Sequence, residues 1–113
     1  MRKDDLVRLR HMLDAAKEAL SFSSCKSRDA LNSDRMLVLS LVKDIEIIGE
    51  AAGKVSQKTK KMSEEIPWQD IIDMRNHLTH AYFDVDLDIV WDTIMNDLPP
   101  LVEVLEKIIP PTE

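Results

Sequence analysis

The sequence predicts an all-α protein, an antiparallel bundle of four or five helices. Three observations carry that expectation. Only two Gly and five Pro occur in 113 residues, and the prolines stand at 67, 99, 100, 110 and 111, so long tracts lack helix breakers. Apolar residues recur along those tracts at spacings of three and four. No tract alternates apolar and polar residues as a half-buried strand would.

Residues 4–21 give the first helix, with Leu6, Leu9, Leu13, Ala16 and Leu20 on one stripe. The polar run "SFSSCKS" ends it. Residues 28–53 give a long second helix whose middle, "MLVLSLVKDIEIIGEAAG", is apolar on more than one side. Such a helix is either central in its bundle or faces a second protein. Gly49 and Gly53 lie four apart within it, and each costs about 0.5–1 kcal/mol relative to Ala in a helix. Close approach of another backbone or a ligand, or tight packing within the bundle, would justify them; Gly53 could also end the helix. "SQKTKKMSEEI" reads as a linker or a short irregular helix. Pro67 suits the first turn of a third helix, where its missing N–H is not needed. "FDVDLD" breaks that helix, and Asp86 fits the N-cap of a last one. Residues 87–108 then place Val90, Ile94, Leu98, Leu101, Val102 and Leu105 on a broad face, with Pro99 and Pro100 expected to kink the helix.

Composition narrows the function. The length suits a single domain spanning 1–113. Aromatics are 4% of the chain, so the core is expected to be aliphatic and Met-rich. The lone Cys25 rules out an internal disulfide and fits a reduced, cytoplasmic setting. No run approaches the ~18–20 apolar residues of a membrane span, and the N-terminus has no signal-like apolar region. A net charge of −6 speaks against broad nucleic-acid binding but leaves room for a small basic site. The densest basic run, "KVSQKTKK" with Lys54, Lys58, Lys60 and Lys61, fits a solvated helix end or loop.

"MRNHLTHAYF", Met74 to Phe83, crowds Arg75, Asn76, His77, Thr79, His80 and Tyr82 together. With Arg75 at zero on a helical wheel, Thr79 falls near ~40°, Asn76 near ~100° and His80 near ~140°. Ile71, Met74, Leu78 and Ala81 gather opposite. The polar arc has the parts for phosphate chemistry without a metal. Cleaving RNA through its own 2′-hydroxyl needs a proton removed there and one delivered to the leaving 5′-oxygen, and a histidine can do either near neutrality. An arginine fork matches the charge growing on the phosphoryl oxygens. An asparagine amide can orient either group, and a tyrosine can donate to phosphate or stack on a base. An ordinary solvated face is the plain alternative. His77 and His80 invite a metal reading, but no Cys or Glu completes a set, so neither metal nor cofactor is expected.

"RNHLTHAY" fits R-x-x-x-x-H-x-Y, the signature of HEPN-domain ribonucleases. With "IEIIGEAAGKVS" before it, "IPWQDIIDMRNHLTHAYFDVD" around it and "IVWDTIMNDLPPLVEVL" after it, the chain resembles the HepT branch from Met1 to Ile109. The resemblance implies a HEPN helical bundle and a metal-independent endoribonuclease that works as a homodimer. It implies the toxin of a type VII-like toxin–antitoxin pair. The antitoxin partner would be a minimal nucleotidyltransferase that uses ATP to attach AMP to the motif tyrosine. By position, Arg75 and His80 become the catalytic pair, Asn76 their polar helper and Tyr82 the modified residue, with Thr79 and His77 in supporting places. Ala81 stands where many relatives carry a larger or charged residue. The residues themselves add one argument for a dimer: one chain offers one such histidine, whereas the reaction needs both a base and an acid. The competing functions are a HEPN-like module that binds nucleotide or RNA without cutting it, and a helical adaptor for a nucleotidyltransferase.

Overall fold

The computed structural model describes residues 2–80 and 85–110, apart from the side chains of Thr79 and His80. The described residues are helical, without a strand: α1 (Lys3–Ser23), α2 (Ala30–Ser33), α3 (Arg35–Lys54), α4 (Gln57–Met62), α5 (Trp68–His80), α6 (Leu87–Asp92) and α7 (Leu98–Ile108). Among these residues no helix is long and apolar enough to cross a membrane.

α3 is the centre of the bundle, with α1 against one side and α5 against another, while α7 packs on α1. That arrangement explains the apolar breadth of residues 36–48. Leu37, Val38, Leu41, Val42, Ile45 and Ile48 are all buried, leaving Met36 and Leu39 as the large apolar residues of α3 that face solvent. The core is aliphatic, built around Leu9, Met12, Leu41, Ile66, Leu78, Ile94 and Leu105.

Polar contacts fix the helix directions. Asp5, at the start of α1, accepts from Ser56 N (2.9 Å), Ser56 Oγ (2.5 Å) and Thr59 Oγ1 (2.6 Å), just beyond the end of α3. Near the other end of α1, Glu18 meets Asp44 of α3. The two helices are therefore antiparallel. Lys17–Glu106 (3.4 Å) and Arg28–Asp88 (2.6 Å) set α1 and the C-terminal helices antiparallel by the same logic. The Ser56 and Thr59 bonds hold the Asp5 carboxyl down at about 2. Asp44 is the opposite case. It is 1% exposed, burial and the neighbouring Glu18 push its carboxyl up to about 7, and its Oδ2 has no hydrogen-bond partner.

The long second helix expected over 28–53 is interrupted. Asp34 leaves helical geometry (φ −111°, ψ 89°) and its side chain accepts from Leu37 N at 3.0 Å. A side chain able to cap competes with continuing the helix, and here the cap wins. Asp86 does cap α6, accepting from Asp88 N and Ile89 N. Gly53 does not end α3, which runs one residue further. Pro99 and Pro100 lie in the first turn of α7 rather than at a break. A wide π-helical turn, Thr93–Asp97, precedes them, and helical geometry is kept from Asp92 through Leu98. The carbonyls the two prolines cannot reach belong to that turn, where the bonding pattern is already altered. α1 ends with Cys25 in the left-handed region (φ 62°), a place more often taken by Gly.

Candidate functional site

α5 carries the site, and its apolar stripe anchors it. Leu78 is 1% exposed, and Ile71, Ile72 and Met74 pack on the core beside it. Trp68, at the helix start, is buried and donates from Nε1 to the Ser63 carbonyl at 3.1 Å, which locks the entry into α5. The polar arc follows from that placement.

The root of the Arg75 side chain lies directly on α3. A Cβ added at Gly49 would overlap the Arg75 Cβ, stand 2.7 Å from its Cγ and lie 3.2 Å from the Ile71 carbonyl oxygen. Gly49 is therefore a point of close approach between α5 and α3, and packing within the bundle is what it serves. Gly53 faces open space, with nothing within 4 Å of where a Cβ would be.

At the other end of the side chain, Nη1 donates to Asn76 Oδ1 at 3.1 Å and Nη2 lies 3.5 Å from Glu50 Oε2. Glu50 also pairs with Lys54, Oε1 to Nζ, at 3.6 Å. The Arg75 side chain is 34% exposed and that of Glu50 55%. A fork rooted in a helix seam and partly open at its tip is suited to receive a phosphate. Asn76 and His77 are both exposed. The structure thus joins Arg75 to Asn76. The side chains of Thr79 and His80, and Tyr82 as a whole, lie outside the described residues. Glu50 was not singled out by the sequence; its one local signal is the (i, i+4) spacing to Lys54. Among the described residues, no three His, Cys, Asp or Glu side chains gather as a metal site would require.

A groove of about 380 Å³ opens on the apolar side of α5, away from the guanidinium. Ile45, Ile48, Ile71, Met74, Leu101 and Val104 line it. It separates α5 from α7, so α5 is held chiefly by α3.

Comparison with known proteins completes the picture. Residues 12–108 match the family model described as "Ribonuclease HepT-like". A protein of Thermococcus cleftensis named "Probable ribonuclease HepT" is 37% identical over 75 residues, 66% of this chain and 68% of that one. "Putative RNase TTE0752" of Caldanaerobacter subterraneus is 30% identical over 89% of this chain and 90% of its own. "Gamma-glutamylcyclotransferase and putative RNase MJ0434" of Methanocaldococcus jannaschii is 32% identical over 96% of this chain. The chain spans about half of that last protein's length, 49%. No solved structure matches.

Proposed function

The chain belongs to the HepT-like ribonuclease family, and on that premise we propose that it is a metal-independent endoribonuclease working as a homodimer. The observation that carries the reading is the Arg75 fork, rooted against Gly49 and hydrogen-bonded at its tip to Asn76. Asn76 gives the guanidinium a defined direction before substrate arrives, which lowers the cost of ordering it.

In the proposed reaction the 2′-oxygen attacks the adjacent phosphorus, and the bond to the 5′-oxygen breaks. His80 of one protomer takes the 2′ proton, and His80 of the other gives a proton to the leaving oxygen. The two-fold arrangement supplies base and acid from one residue type. Arg75 holds the phosphoryl oxygens, where negative charge grows. Asn76 keeps Arg75 in place. Thr79 and His77 are assigned supporting positions on the same arc.

The wider system is part of the proposal: the toxin of a toxin–antitoxin pair, silenced when a partner nucleotidyltransferase adds AMP to Tyr82. The adduct would bring bulk and negative charge beside the place an RNA phosphate must occupy. Intact mass after incubation with that partner, ATP and magnesium tests it; an unchanged mass, or an adduct mapped elsewhere, removes Tyr82 from the scheme.

The deciding experiment is RNA cleavage in EDTA by the wild type and by His80→Ala. Loss of about 10²-fold or more is expected of the variant. Equal cleavage by both would take His80 out of the mechanism. RNA bound but left intact by the wild type would make the chain a binding module instead.

A further inference from the structure

We propose that Glu50 is a positioning residue that acts on the substrate through Arg75: its carboxylate is a resting counter-ion of the guanidinium and gives way when a phosphodiester arrives. The proposal rests on Arg75 being the phosphate-binding arginine of the site.

Three features of the geometry carry it. First, the root and tip of Arg75 are held by consecutive residues of α3. Gly49 fixes the stem by close contact, and Glu50 meets the guanidinium. The stem cannot wander, so an anion exchanged at the tip finds the fork already aimed. Second, the contact at the tip is a loose one. Nη2 and Oε2 are 3.5 Å apart, longer than a charge-assisted hydrogen bond, and both side chains are substantially open to solvent at 34% and 55%. A phosphodiester with two free oxygens can bind the fork at shorter range and through two bonds. Third, the released carboxylate is not stranded. Its other oxygen lies 3.6 Å from Lys54 Nζ, so Glu50 keeps a cation after it yields Arg75.

A carboxylate in this position screens the guanidinium from weak anions and lets a well-placed phosphodiester displace it. Glu50 therefore lowers the apparent affinity for every phosphate ligand, while Gly49 and Asn76 keep the fork oriented. A pair that only supported the fold would have the opposite signature, because losing it would loosen Arg75 and weaken binding.

The test is binding of a fluorescent 2′-deoxy oligonucleotide by anisotropy. This probe has the phosphodiesters but lacks the 2′-hydroxyl the proposed reaction uses, so it is read without cleavage. Glu50→Gln, which keeps the side chain's size, is expected to tighten binding about two- to five-fold, the range typical of an exposed ion pair. The same change in an Arg75→Ala background is expected to give no gain. Unchanged or weaker binding by Glu50→Gln, with Arg75→Ala still weakening it, would overturn the role of Glu50 and leave the proposed function standing. A gain that persists in the Arg75→Ala background would mean that only net charge matters, and would overturn it too. If Arg75→Ala binds as well as the wild type, Arg75 is not the phosphate ligand and both readings fall.

Discussion

Replacing Gly49 by Ala tests the seam on which the site is built. The new methyl would overlap the Arg75 Cβ and stand 2.7 Å from its Cγ. Non-bonded carbons settle near ~3.5–4.0 Å, and no rotamer change moves the Arg75 Cβ, so α5 must retreat from α3 by roughly 1.5 Å. Overpacking of this kind costs about 1–3 kcal/mol, and Ala in a helix returns about 0.5–1 kcal/mol. The net is a loss of up to about 2.5 kcal/mol, a fall in melting temperature of up to roughly 10 °C for a domain of this size. The control lies one turn away. Gly53→Ala meets nothing within 4 Å and its φ is not positive, so only the helix gain remains. A rise of roughly 2 °C is expected. Thermal unfolding by circular dichroism reads both variants. Shifts of the same sign would refute the reasoning, because they would mean that α5 does not approach α3 at Gly49.

Three further outcomes are expected. Asp5→Ala removes three hydrogen bonds to a buried carboxylate and should cost about 1.5–3 kcal/mol at neutral pH; because the folded carboxyl sits at about 2 against an ordinary 3.8, the wild type's advantage should be present above pH 4 and vanish as pH falls through 2 in acid-unfolding curves. Asp44 has the reverse sign: with its carboxyl raised to about 7, the stability it allows is intact below pH 4 and lost as pH rises through 7, so Asp44→Asn should raise the melting temperature at pH 8 by a few degrees and leave it little changed at pH 4. His77 is exposed on α5, so His77→Ala should keep the fold and reduce RNA cleavage far less than the ~10²-fold expected of His80→Ala; the reverse ranking would exchange their roles.

Periodicity made the bundle legible because its long helices bury continuous stripes. Of the stripe read along the first helix, Leu9 and Ala16 are buried, Leu13 and Leu20 are partly buried against the core, and Met12, Ala15 and Ala19 complete the buried face. The break at Asp34 was harder to see. It depends on a side chain choosing the Leu37 amide over solvent, and nothing apolar changes at that point. The breadth of α3 left two readings open, and neighbours far along the chain decided between them. The motif placed Arg75 and Asn76 on one arc, and the structure joins them. Glu50 stayed hidden because its tie to Arg75 spans α3 and α5, and wheel geometry describes one helix at a time. The π-helical turn left no trace in the spacing: Val90, Ile94, Leu98, Leu101 and Leu105 step by four, four, three and four, which a regular helix of 3.6 residues per turn also keeps on one face.

That wide turn also sets where the chain can change length. It holds one residue more than an ordinary helical turn, and the surplus lies between two apolar stripes already in phase with the core. A single deletion within Thr93–Asp97 would convert it to a regular turn and leave Val90 and Leu105 facing inward as before. The same deletion between Leu101 and Leu105 would swing everything beyond it by about 100° and bring Leu105 off the core. Among relatives of different length, a one-residue gap in this helix belongs at the turn, and a shortened variant built there should fold where its neighbours fail.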